Sequence, residues 1–161
     1  VYLRQFEYRA DARASRALLN FEGVDSCYYV WLNGTFVGYS QVSHSTGEFD
    51  VTDALDDGDN TLAVLVLKWC DGSYMEDQDK FRTSGIFRDV YLLRRPRQAI
   101  RDYRIRTSIV WGDEQGGEPV AASASCDVDI DYSGAAAVPT QIELFDAEGT
   151  AVGRATCGDA V

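Results

Sequence analysis

CYYVWLNGTFVGYSQ, residues 27–41, decides the fold. Two runs rich in aromatic and β-branched residues, Cys27 to Leu32 and Thr35 to Gln41, flank Asn33-Gly34. Such runs suit a pleated, half-buried surface. An Asn-Gly pair between them predicts a tight hairpin, because a type I′ turn needs positive φ at both central positions. Outward from this hairpin the same grammar repeats. Arg16 to Glu22 places Ala17, Leu19 and Phe21 on one face, and residues 1–8 alternate more weakly. Thr61 to Trp69 is almost continuously apolar, as expected of a central strand covered on both faces. Ile86 to Leu93 is a further strand.

Gly23 to Ser26 and Asp56 to Asn60 carry turn chemistry. Val42 to Glu48 reads as a loop. Asp50 to Leu55 predicts one helical turn capped by Asp50 or Thr52. No amphipathic helix of ten or more residues is legible in 1–94. Short strands separated by turns at this spacing predict an all-β domain, a jelly-roll β-sandwich.

Arg94-Arg95-Pro96-Arg97 interrupts this pattern, since proline cannot donate to a strand ladder. The expected organisation is a sandwich at 1–94, a linker at 95–100 and a second unit at 101–161. In the latter, Tyr103, Ile105, Thr107 and Ile109 alternate with polar residues, and Val120 to Asp131 alternates more strictly. Asp113 to Glu118 reads as a Gly-rich acidic turn. Gln141 to Phe145 and Thr150 to Thr156 flank another turn. These strands are too few to complete a sandwich, so a partial immunoglobulin-like unit is expected, with a chain end that looks imposed.

Composition excludes several function classes. The formal net charge of −11 over 161 residues opposes binding to nucleic-acid phosphates or an anionic membrane surface. No apolar run approaches the roughly 20 residues that span a bilayer. Cys27, Cys70, Cys126 and Cys157 lack metal-site spacing and are expected as free thiols in a reducing cytoplasm. The single histidine, His44, leaves no His-cluster metal site and is expected to face solvent.

Chemistry concentrates between Trp69 and Leu93, where Glu76, Asp77 and Asp79 lie within four residues. So many acids between two buried strands need arginines, a cation or a ligand. Arg82 and Arg88 could neutralise them. Alternatively, carboxylates accept strong hydrogen bonds from sugar hydroxyls and ligate hard cations. They do not suit a catalytic pair, since such groups must flank the scissile bond. Trp31, Tyr39, Trp69 and Tyr74 could stack on a sugar, although core packing accounts for aromatic residues on strands. Asp127, Asp129 and Asp131 have the spacing of a calcium loop, but the residues between them are apolar, which predicts a solvated strand face.

GVDSCYYVWLNGTFVGYSQ at 23–41, EFDVT at 48–52 and DGSYMEDQDKFRTSGIFRDVYL at 71–92 closely resemble the β-galactosidase branch of glycoside hydrolase family 2. The similarity covers about 1–105, matching the family's N-terminal sugar-binding jelly roll and the start of an immunoglobulin-like domain. The resemblance implies that Asn33 hydrogen-bonds the substrate at the active-site mouth. It implies that Asp79 binds Na⁺ and contacts a galactosyl hydroxyl, with Glu76, Asp77 and Arg82 as supports. The family's two catalytic glutamates belong to a (β/α)₈ barrel beyond residue 161, as do its Mg²⁺ ligands. No catalytic residue is therefore expected here. The implied parent is a cytoplasmic, homo-oligomeric, retaining hydrolase of β-galactosides. Lys80-Phe81 and Val42 to Gly47 depart from the familiar pattern, which bears on aglycone preference. Rival readings are an independent carbohydrate-binding module, with an aromatic platform open to solvent, and a purely structural sandwich.

Overall fold

A computed structural model describes residues 1–75, 81, 83–115, 118–134 and 138–157. The chain divides into two compact units, Val1–Pro96 and Arg97–Val161. Strand β9 continues to Arg95 and the next strand starts at Ala99, so only 96–98 lie between strands.

The first unit is a β-sandwich. One sheet has the order β1 (Tyr2–Tyr8), β7 (Gly58–Leu67), β4 (Cys27–Leu32), β5 (Thr35–Ser40), every pairing antiparallel. The facing sheet has the order β6 (Gly47–Asp50), β2 (Arg16–Phe21), β9 (Val90–Arg95). A two-residue bridge pairs β3 (Val24–Asp25) with β8 (Gly85–Ile86). The hairpin turn forms where Asn-Gly predicts it, with φ of 51° at Asn33 and 80° at Gly34.

Between the sheets, Tyr28, Val30 and Leu32 of β4 and Leu62 and Val64 of β7 meet Ala17, Leu19 and Phe21 of β2. Apolar burial of this kind contributes about 1.5–3 kcal/mol per large side chain. Phe21, Tyr28 and Phe49 form a ring cluster with centroids 4.9–6.0 Å apart. Gly47 is required beneath it, because a Cβ there would stand 1.9 Å from the Tyr28 hydroxyl.

Two expectations change. Gly47 and Glu48, expected at the end of a loop, open strand β6 on the edge of β2. β7 is not covered on both faces: Asn60, Leu62 and Val64 are buried, whereas Thr61 and Leu67 are exposed. The strand buried on both faces is β2, where even Leu18 and Asn20 are 4% and 3% exposed.

The turn at Asp50 is capped by Asp50, whose Oδ1 accepts from the Thr52 amide at 3.1 Å and the Thr52 hydroxyl at 2.6 Å. Arg16 Nε donates to its Oδ2 at 3.0 Å. Partial burial raises the Asp50 pKa, but these partners outweigh it, and the carboxyl titrates below its ordinary value. A depressed folded pKa contributes stability that is complete above the unfolded value, about 3.9, and lost as pH falls through the folded one. Asp50→Asn is therefore expected to flatten the stability profile in that acid range. Urea melts from pH 5 downward check this.

In the second unit, β10 (Ala99–Gln115) and β11 (Glu118–Ser133) form one long antiparallel hairpin. Pairing continues to Gln115 and Glu118, so the strands enter the segment expected as a turn. Tyr103, Ile105, Thr107 and Ile109 face Ile130, Val128, Cys126 and Ala124 on one side. The other side carries Asp127 and Asp129 opposite Arg106 and Arg104, and Asp131 opposite Asp102, with Arg106 Nη2 2.7 Å from Asp129 Oδ2. That is the solvated face expected. β12 (Thr140–Phe145) and β13 (Ala151–Cys157) form a second hairpin. Among the described residues no helix is long and apolar enough to cross a membrane.

Candidate functional site

The acidic segment leaves the sandwich at the end of β7 and returns through β8. Both roots are fastened to the start of β4. Ser26 donates its amide to Leu67 O at 3.2 Å, and its hydroxyl lies 2.7 Å from Lys68 O. Asp25 pairs with Gly85 across the bridge, and Phe87 donates to Gly23 O at 3.2 Å. Gly85 has φ of 94°, and a Cβ there would stand 2.5 Å from the Tyr2 hydroxyl, so the return point demands glycine.

The first turn of the segment, Gly72–Met75, is held by Ser73 N donating to Cys70 O at 3.1 Å and Tyr74 N to Asp71 O at 3.0 Å. Trp69 and Tyr74 stack at 6.1 Å, are 54% and 79% exposed, and carry Lys68 Nζ over the Trp69 ring. Glu76, Asp77, Asp79 and Arg82 lie outside the described residues. Arg88, weighed as a partner for the acids, places its guanidinium 5.4 Å over the Phe87 ring.

Asn33 occupies the other end of β4. In the β4–β7 register Leu32 faces Leu62 and Cys27 faces Leu67, so Asn33 adjoins the first part of β7 while the acidic segment leaves its last residue. Six residues at about 3.3 Å each separate the hairpin from those roots by roughly 17–20 Å. The Asn33 amide is also engaged inside the unit. Nδ2 donates toward Asn60 Oδ1 at 2.8 Å and Ala54 O at 3.0 Å, with Asp56 Oδ2 at 3.2 Å. Oδ1 accepts from Thr61 N at 2.9 Å. Both amide protons are thus spent on the chain's own acceptors, leaving one lone pair on Oδ1.

Asn60, which turn chemistry alone explained in the sequence, organises this end of the sandwich. It is 1% exposed, donates to Asp56 O at 2.8 Å and Gly58 O at 2.9 Å, and accepts from Asp56 N at 2.9 Å. Its signal was its place directly before the apolar run of β7, one step inside the turn. Asp25 was also missed. It is 5% exposed, and its Oδ2 is a buried oxygen with no hydrogen-bond partner among the described residues.

Tyr29, Trp31, Phe36 and Tyr39 line the outer face of the first sheet, with successive centroids 4.7–6.1 Å apart. The exposed His44 ring packs 5.1 Å from Phe87. Among the described residues no three His, Cys, Asp or Glu side chains converge as a metal site.

Residues 1–96 match the family model for the sugar-binding domain of glycosyl hydrolases family 2. The chain is 67% identical over 91 residues to a beta-galactosidase of Actinobacillus pleuropneumoniae, an alignment covering 56% of this chain and 9% of that protein. It is 40% identical over 154 residues to a beta-galactosidase of Vibrio cholerae, covering 95% and 14% respectively. The chain thus spans about a tenth of the length of such relatives. Among solved structures, an uncultured Clostridium sp. beta-glucuronidase matches with a TM-score of 0.70 at 24% identity, over 96% of this chain and 27% of that one. At that identity the likeness shows the fold alone.

Proposed function

The chain belongs to glycosyl hydrolase family 2 through its sugar-binding domain, and from that premise we propose that it is the non-catalytic N-terminal part of a β-galactosidase. In this reading the acidic segment completes the galactose subsite of a pocket whose other walls, and whose two catalytic carboxylates, belong to a barrel later in the same polypeptide. Asp79 accepts a hydrogen bond from a galactosyl hydroxyl and serves as one ligand of a Na⁺ ion. Glu76, Asp77 and Arg82 hold the segment in place. Any Mg²⁺ of the parent takes its ligands from the rest of the polypeptide, which works in the cytoplasm as a homo-oligomer.

The observation that carries this reading is the fastening of both roots of the acidic segment, Lys68 to Ser26 and Gly85 to Asp25, the two residues that lead into β4. Fixed roots suit a segment that must meet a ligand in defined geometry. Identity to beta-galactosidases, at up to 67%, favours galactose over glucuronic acid as the sugar. Asn33 is the second proposed contact: its amide protons clamp the hairpin to the turn before β7, and the remaining lone pair of its Oδ1 is free to accept from a substrate hydroxyl.

The test is a substrate panel. The longer polypeptide is expected to hydrolyse aryl β-galactosides and leave aryl β-glucuronides intact, while residues 1–161 alone turn over neither. Cleavage of the glucuronide in preference, or turnover by residues 1–161, would overturn the assignment.

A further inference from the structure

Among the described residues the two sheets of the first unit differ by one strand. Across the sandwich β5 lies over β6, so closely that a Cβ on Gly38 would stand 2.5 Å from the Phe49 ring. β4 lies over β2, with the Tyr28 and Phe21 rings 4.9 Å apart. β7 and β9 come next, where Leu62 and Val64 share with Val90 and Leu92 the walls of a cavity of about 520 Å³. β1 is the last strand of its sheet on this side, and among the described residues the facing sheet ends one strand earlier, at β9. The cavity therefore opens beneath β1, whose Tyr2 and Phe6 also line it.

The edge beside that gap is open as well. Glu22 N donates to Asp89 O, whereas Ala17 O, opposite Arg94, accepts from Val51 N on the other side of β2. Pairing along an antiparallel ladder alternates, so Tyr91 and Leu93 turn their N–H and C=O toward β2. Val90, Leu92 and Arg94 turn theirs outward, and among the described residues no strand pairs with them. A row of open donors and acceptors beside an apolar cavity is a template for an added strand.

We propose that an extended segment from the rest of the polypeptide, about six residues long to match β9 and apolar at alternate positions, pairs with β9 and fills the cavity beneath β1. Such a segment exists only if the chain is part of a longer one, so the inference rests on the proposed function. The relatives have chain to supply it, since the aligned residues are 9% and 14% of their lengths. A second copy does not fit. The inner face of its own β9 already lies against its own β7, which leaves β1 no room there. A small apolar molecule would fill the cavity but leave the outward N–H groups of β9 open.

The test is hydrogen exchange read at single amides, in residues 1–161 and in the longer polypeptide. In residues 1–161 Val90, Leu92 and Arg94 should exchange about a hundredfold faster than Tyr91 and Leu93. In the longer polypeptide the three should slow to within about threefold of those neighbours. A gap that persists there would overturn the proposal. So would slow exchange at all five in residues 1–161, because this chain would then cover the edge itself. If none of the five is slow in residues 1–161, the longer polypeptide decides alone, by slow or fast exchange at the three. No sugar enters the readout, so an unpaired β9 and a failed galactoside assignment are told apart.

Discussion

Asn60→Ala should cost about 3 kcal/mol of unfolding free energy, as much as a mid-sized core truncation. The side chain is 1% exposed and makes hydrogen bonds with Asp56 N, Asp56 O, Gly58 O and Asn33 Nδ2. Alanine removes these interactions and leaves part-buried backbone groups of the turn without their partner, each at roughly 1 kcal/mol. Partial access of water after the change keeps the sum from being additive. Asn33→Ala should cost less, about 1–2 kcal/mol, since its site is exposed and water can replace its contacts. Part of that cost is the positive φ of 51°, which asparagine tolerates better than alanine. Urea denaturation followed by tryptophan fluorescence ranks the two. Equal costs, or a larger one at Asn33, would contradict the assignment of Asn60 as the organiser.

The largest functional effect belongs to Asp79→Ala in the longer polypeptide. A carboxylate that accepts from a sugar hydroxyl forms a charge-assisted hydrogen bond, and losing it from a desolvated pocket costs about 3 kcal/mol. That corresponds to roughly a hundredfold loss in kcat/KM. The loss should be accompanied by a weakened response to added Na⁺, because one ligand of the ion is gone. Asn33→Ala should lower kcat/KM less, by about tenfold, because the free lone pair of its Oδ1 offers the sugar a single neutral hydrogen bond. Unchanged kinetics in Asp79→Ala would remove the acidic segment from the sugar pocket. Unchanged kinetics in Asn33→Ala would remove the hairpin from it.

Local chemistry made much of the first unit legible. The Asn-Gly turn, the β-prone runs around it and the apolar stretch of β7 each carry their signal within a few residues. What escaped the sequence depends on partners far along the chain. The β3–β8 bridge is two residues long on each side, too short for any periodicity, and exists because Asp25 meets Gly85 sixty residues later. The start of β6 reads as the end of a loop because Gly47-Glu48 has little strand propensity; pairing with β2 and the packing of Phe49 on Tyr28 override that.

The site divides along the same line. Asn33 has a complete local account as a turn residue, and the resemblance added a sugar contact to it. Neither could show that its amide would be occupied by Asn60 and Thr61, 27 and 28 residues away. Reading β7 as doubly covered failed for a related reason. Hydrophobic content announces burial, but which layer supplies it is a property of the whole assembly. In this unit Tyr29 and Trp31 shield the outer face only in part.

The central claim is that residues 1–161 supply one wall of a sugar pocket and do not form a binding module of their own. The outer aromatic face and the exposed Trp69–Tyr74 pair are the features an independent module would use. Titration calorimetry of galactose and of a β-galactoside disaccharide into purified residues 1–161 decides between the two. The account predicts millimolar affinity or weaker, about 4 kcal/mol at most, because the remaining walls are absent. Micromolar binding by this chain alone would contradict it.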